Sequence, residues 1–238
     1  MSLLKKLTGQ SADDKPAYEG READYWDERF EARAGELRAP GHSGLDEAAN
    51  RRDYDRKRAF FQRHMHRWAP PRIDGQPARL LDAGCGPATF TETWLELGYA
   101  VTGIDFSKAA IDAAEAAVGD QAEFLVNPLD TTPPGAPFDA VVCVDVLFHV
   151  VRDDAWHAAM RTFANCTRDG APLIIQEMLD PTRRKSRHVR WRTRAEYTAA
   201  LNPLGLTLEE HQLYRLEEEN ADKDLLVFRK NSTAEPVA

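Results

Sequence analysis

The segment Arg79-Leu80-Leu81-Asp82-Ala83-Gly84-Cys85-Gly86-Pro87-Ala88-Thr89-Phe90 constrains this chain more than any other. A short apolar run, a turn with two glycines separated by one residue, and the opening of a helical run describe a strand that turns sharply into a helix. Glycines at 84 and 86 permit positive φ and let the backbone approach a ligand with no Cβ in the way. A dinucleotide-binding turn has a third glycine three residues after the second, where helix and strand close around a pyrophosphate, and here that position is Thr89. The carboxylate of Asp82, two residues ahead of the first glycine, repels a pyrophosphate and attracts a cationic ligand.

From Ala78 onward short apolar runs alternate with helical ones, which predicts an α/β fold with a doubly wound, mostly parallel sheet and helices on both faces. Strands are expected at about 78–82, 100–105, 122–127, 138–144 and 172–178, with helices at about 88–97, 108–118 and 152–166 between them. Leu206 to Leu216 and Asp224 to Phe228 flank a charged stretch and read as a hairpin that completes a seven-stranded sheet with an antiparallel last strand. Ahead of the sheet, Tyr25-Trp26-Asp27-Glu28-Arg29-Phe30 begins one helix, and a second runs from about Ala48 to Trp68 with Tyr54, Phe60, Phe61, Met65 and Trp68 on one face. The expected organisation is a loose lead-in at 1–17, a helical N-terminal cap at 18–70, the α/β domain at 71–231 and a tail at 232–238.

With 238 residues, 42% of them hydrophobic, the chain is long enough for one substantial core. A net charge of −8 argues against the broad electropositive face that binds nucleic acid. The odd cysteine count (Cys85, Cys143, Cys166) suits a reducing cytoplasm better than a disulfide framework, and no apolar stretch is long enough for a secretory signal or a membrane span. Paired histidines, Cys-x-x-Cys and calcium loops are missing, so no metal site is expected, and there is no Gly-x-Ser-x-Gly elbow.

Leu81-Asp82-Ala83-Gly84-Cys85-Gly86 resembles the first motif of class I (Rossmann-like) S-adenosylmethionine-dependent methyltransferases, and further motifs follow in order. Gly103-Ile104-Asp105-Phe106-Ser107 matches the end of the family's second strand, Pro137-Phe138-Asp139-Ala140-Val141-Val142-Cys143 its fourth, and Arg168-Asp169-Gly170-Ala171 the turn before its fifth. The resemblance covers about residues 78 to 230. It implies S-adenosyl-L-methionine as cofactor and S-adenosyl-L-homocysteine as product, held by Asp82, Gly84, Cys85 and Gly86, with Asp105 on the ribose hydroxyls and Phe106 flanking the adenine. Asn127 stands where the family often has an acid for the adenine amino group. Because Pro128 has no N–H, a backbone donor to the ring falls to Leu129 or Asp130. Val144 or Asp145 is expected at the methionine end. Asp105 has a second reading as a helix N-cap, a role for which Ser107 competes.

Methyl transfer is an in-line displacement, so the protein chiefly orients, desolvates and, for some acceptors, deprotonates. His149, just past the fourth strand, is the candidate catalytic base, with a structural or capping histidine as the other reading. Residues 183–194 hold seven Lys and Arg residues. They read either as a solvated loop or as a lid, within 180–195, that grips an anionic acceptor through Arg190 and Arg192. Trp26 and Arg29 resemble a Trp-x-x-Arg stretch that folds over the cofactor in several small-molecule methyltransferases, although i, i+4 packing of Trp26 and Phe30 on the sheet fits the spacing equally. Together these readings give an O- or N-methyltransferase of a small-molecule acceptor. The rivals are an RNA or protein methyltransferase, a non-catalytic cofactor-binding module and a nicotinamide-dependent oxidoreductase, the last opposed by Thr89 and Asp82.

Overall fold

A computed structural model of the protein describes residues 18, 20–42, 44–179, 188–217 and 221–232. Helices α1 (Glu22–Ala32) and α2 (Glu47–Trp68) come first, followed by a small antiparallel hairpin, β1 (Arg72–Ile73) with β2 (Gln76–Pro77). The main sheet then alternates strand and helix: β3 (Arg79–Ala83), α3 (Thr91–Glu96), β4 (Ala100–Asp105), α4 (Lys108–Val118), β5 (Glu123–Val126), β6 (Ala140–Val144), α5 (Asp153–Cys166) and β7 (Pro172–Glu177). Helix α6 (Arg194–Leu201) leads into the hairpin β8 (Leu206–Leu216) and β9 (Ala221–Lys230).

Spatial order in this seven-stranded sheet is β5-β4-β3-β6-β7-β9-β8. The first five strands are parallel, and β9 enters antiparallel between β7 and β8. Strand β3 is flanked by β4 on one side and β6 on the other, so successive connections leave it in opposite directions and open a crevice at its carboxyl end.

Side chains alternate across the sheet and give it two cores. Leu80, Val142 and Ile174 face α2, whose Phe61 and Met65 are fully buried, each contributing about 2–3 kcal/mol by removal from water. Leu81, Val141 and Ile175 face Trp156, Met160 and Phe163 of α5 and Tyr197 of α6. Phe60, expected on the buried face of α2, is only half-buried and stacks on Tyr214 of β8 with ring centroids 4.2 Å apart. Helix starts carry their caps: Asp46 accepts from the Ala49 amide, Ser107 from Ala110, and Thr193 with Glu196 forms a reciprocal capping box.

Three expectations change. The helix expected from 88 starts only at Thr91, because Ala88 has φ 62° and prolongs the glycine turn. Strand β9 starts at Ala221 rather than 224, since the charged stretch pairs in register, Lys223 opposite Tyr214 and Asp222 opposite Arg215. Residue 70 is not a domain boundary. Helix α2 shares its core with the sheet, and only α1 and the residues around it stand over the crevice. The expected lead-in at 1–17, the tail beyond 232 and the basic residues Arg183, Arg184, Lys185 and Arg187 lie outside the described residues.

Candidate active site

At the carboxyl ends of β3, β4, β5 and β6 lies a cavity of about 320 Å³, roofed by α1. That volume is at the small end of the range for small-molecule sites. Gly84 and Gly86 line it with φ of 77° and 54°, a left-handed region that costs any other residue strain. A Cβ on Gly84 would lie 2.6 Å from Val146 Cγ2, so the turn after β6 closes directly on the glycine turn.

Asp82 lies outside the cavity wall. Its buried carboxyl accepts from Thr91 Oγ1 at 3.2 Å and Trp94 Nε1 at 3.1 Å, tying the glycine turn to the start of α3, and burial pushes it up to about 7. The expected direct attraction of a cationic ligand is thereby replaced by support of the loop from behind. Asp105 does line the cavity. One carboxylate oxygen accepts from the Gly86 amide at 3.0 Å and the other from Ser107 at 2.9 Å, while burial pushes the group up to about 6. Ser107 caps α4, which leaves Asp105 to the cavity, and its hydroxyl donates to Asp27 of α1.

Cys85, Phe106, Leu129, Asp130 and Val144 all line the cavity. Asn127 does not: its amide nitrogen donates to the carbonyls of Pro128 at 2.8 Å and Thr131 at 2.7 Å, so it shapes the turn after β5. Asp145 lines the cavity with φ 56°, and three donors converge on its carboxylate: Lys57 Nζ at 2.7 Å, Lys223 Nζ at 2.9 Å and Gln176 Nε2 at 2.8 Å. Burial alone would raise this carboxyl, but the two ammoniums outweigh it and hold Asp145 below the usual range.

His149 ends a short 3₁₀ turn and also lines the cavity. Its Nδ1 is 2.9 Å from the His188 carbonyl, which only accepts, so Nδ1 carries the proton and Nε2 is a bare acceptor. Burial pulls the imidazole down to about 3, making it neutral and weakly basic near pH 7. Three tethers hold the turn: Glu177 accepts from the Leu147 amide at 2.8 Å, Tyr18 donates to the His149 carbonyl, and Arg190 N donates to Phe148 O at 2.7 Å. Burial lifts Glu177 up to about 8.

Trp26 lines the cavity, its ring edge-on to His149 at 4.8 Å and its N–H donating to Tyr18 at 3.1 Å. The expected ligand-facing arginines are engaged elsewhere. Arg29 donates to the carbonyls of Arg38, Ala39 and Gly41, organising the loop after α1. Arg190 pairs with Asp153 at 2.8 Å. Arg192 is buried over the Trp156 ring and donates to Val150 O and Asp153. None of the three lines the cavity.

Sequence reasoning missed Tyr18, Glu22, Lys57, Gln176 and Lys223. A lysine three residues after Tyr54 on the apolar face of α2 was a usable signal for Lys57, because buried lysines are rare unless paired. Lys223 gave none, since it sits in a charged stretch that resembles a turn.

The cavity suits an adenosyl sulfonium cofactor. Asp105, fixed by two backbone amides, lines the space with a carboxylate able to accept from a diol, Phe106 lines it too, and two glycines leave the backbone without a Cβ. Residues 51–216 match the family model for a methyltransferase domain. The chain belongs to this family. Among curated proteins, it is 29% identical over 139 residues to the ubiquinone biosynthesis O-methyltransferase of Xanthomonas axonopodis pv. citri, covering 56% of each chain. It is 31% identical over 157 residues to that of Xanthomonas campestris pv. campestris (strain B100), covering 60% of this chain and 63% of the relative. The matched region thus spans less than two thirds of these relatives. Among solved structures, the Burkholderia thailandensis 1,6-didemethyltoxoflavin-N1-methyltransferase, with bound S-adenosylhomocysteine, superposes with a TM-score of 0.66 at 19% identity and 92% coverage of both chains. Magnesium protoporphyrin IX methyltransferase from Synechocystis PCC 6803, with bound SAM, gives 0.65 at 17% identity over 92% of this chain and 99% of its own. The chain thus carries a methyltransferase domain and shares the fold of methyltransferases solved with S-adenosylmethionine or S-adenosylhomocysteine bound. No helix among the described residues is long and apolar enough to cross a membrane.

Proposed function

We propose that the protein transfers a methyl group from S-adenosyl-L-methionine to an oxygen or nitrogen of a small-molecule acceptor. The observation that carries this reading is the cavity itself: about 320 Å³ at the switch point of the sheet, with a ribose-type acid on its floor and an aromatic roof made by α1. The cofactor supplies a methyl group already activated on a sulfonium. Asp105 receives the ribose hydroxyls, Phe106 and Leu129 take the adenine between them, and Val144 with Asp145 meets the methionine end. Asp145 stays ionised under all working conditions because Lys57 and Lys223 hold it so.

His149 orients the acceptor by accepting a hydrogen bond at Nε2, since a group pulled down to about 3 takes a proton only weakly. Trp26 and Phe30 exclude water from the reacting end, a service that methyl transfer needs more than it needs a strong base. Three buried cysteines, none in a disulfide, support placement in a reducing cytoplasm.

Calorimetric titration with S-adenosylmethionine, S-adenosylhomocysteine and NAD tests the reading. The first two are expected to bind saturably, and Asp105→Ala to weaken both at least tenfold. Binding of NAD alone, or undiminished affinity in the variant, would sink it.

A further inference from the structure

The acceptor's charge follows from which polar groups at the roof are already engaged. This step rests on the cavity being the shared cofactor and acceptor site. Among the described residues, the arginines expected to grip an anion face other partners: Arg29 three backbone carbonyls, Arg190 and Arg192 the carboxylate of Asp153. Arg152 reaches the rim with its guanidinium bound to Asp154. On the floor, Asp145 is matched by two lysines and Asp105 by two backbone amides.

The roof differs. Tyr18 donates its proton to the His149 carbonyl and receives that of Trp26 Nε1, so neither of these side chains offers a donor to a ligand. His149 presents Nε2, an acceptor. Glu22, in the first turn of α1, lines the cavity beside Tyr18, and among the described residues no hydrogen bond or ion pair engages it. The roof therefore offers a carboxylate and an imidazole lone pair, framed by the rings of Trp26 and Phe30.

We infer that this roof selects a planar acceptor that is uncharged or cationic and carries hydrogen-bond donors, with Glu22 as the specificity-determining residue. An anionic group brought to the same place would face the Glu22 charge and a lone pair, with no unengaged side-chain donor among the described residues of the roof to offset its desolvation. An ammonium can donate to both acceptors and a phenol hydroxyl to one of them, and a cation gains further from the ring faces. Discrimination thus comes from repulsion as much as from attraction.

Three probes of matched shape separate charge from size: tyramine, 4-ethylphenol and 4-hydroxyphenylacetate, titrated by ligand-observed NMR into protein saturated with S-adenosylhomocysteine. Tyramine and 4-ethylphenol are expected to bind, and 4-hydroxyphenylacetate at least tenfold more weakly. Tyramine should bind more tightly than 4-ethylphenol, Glu22→Gln should narrow that gap, and Glu22→Lys should bring the acid to the top of the order. Equal or stronger binding of the acid to the native protein, an unchanged order in Glu22→Lys, or no binding of any probe overturns the inference. Saturation with S-adenosylhomocysteine is observed separately in the same samples, so loss of cofactor binding, which would undo the underlying reading, is distinguishable from a wrong charge order.

Discussion

The floor and the roof of the cavity are built in different ways. Around the glycine turn of the floor, Asp82, Thr91 and Trp94 lie within a dozen residues of one another and their hydrogen bonds close over short stretches of chain. Only the Asp145 clamp of the floor reaches far, to Lys57 and Lys223 across 88 and 78 positions. The roof is assembled from afar: Tyr18 meets His149 across 131 positions, Ser107 meets Asp27 across 80, and His149 meets His188 across 39. A local arrangement is rigid because strand and helix already fix the backbone on either side of it. A long-range one is only as firm as the few contacts that span it, and elements of that kind open first.

Substitution on the floor should therefore disrupt the most. Gly84→Ala places a methyl group against Val146 at a positive φ, and should cost about 3–5 kcal/mol in denaturant unfolding from strain and overpacking, with loss of S-adenosylhomocysteine binding. A variant that unfolds like the parent would show that the floor yields as easily as the roof.

Asp82→Asn probes the same region through pH. The native carboxyl sits near 7 against an ordinary 3.8, so the folded state holds its proton more tightly than the unfolded chain. Its contribution to stability is fully present below about pH 4 and is lost as pH rises through 7. Between pH 5 and 8 the parent should lose stability relative to Asp82→Asn on the order of 2 kcal/mol. Asp105 and Glu177, also raised by burial, slope in the same sense, so the difference between variant and parent isolates Asp82. Parallel pH curves would mean that Asp82 is ionised in the fold at neutral pH and faces a cation.

The smallest effect belongs to the roof. Tyr18→Phe removes the hydroxyl between Trp26 and the His149 carbonyl, at about 1 kcal/mol. Hydrogen exchange should quicken in α1 while amides of β3 and β4 keep their protection. Equal acceleration in both would erase the distinction between the two regions.

The sheet was legible because short apolar runs between helical ones admit few arrangements. Asp105 was legible because its distance from the glycine turn is set by one strand–helix–strand unit. The arginines misled for a physical reason: a guanidinium on a loop serves an anionic ligand or an internal carbonyl equally well, and only the folded neighbours choose. At Arg192 the choice was Val150 O, Asp153 and the Trp156 ring. Asn127 misled likewise, its amide being drawn into the turn at 128–131.

By itself the sequence determined the fold class, the glycine turn and the acid that follows it, because each is encoded in residues close along the chain. Tertiary structure alone decided that Asp145 is clamped by Lys57 and Lys223, that His149 carries its proton on Nδ1, and that Glu22 lines the cavity while Arg29, Arg190 and Arg192 do not. Those contacts join segments far apart in sequence. Burial and charge there are properties of the assembled neighbours, which no local pattern records.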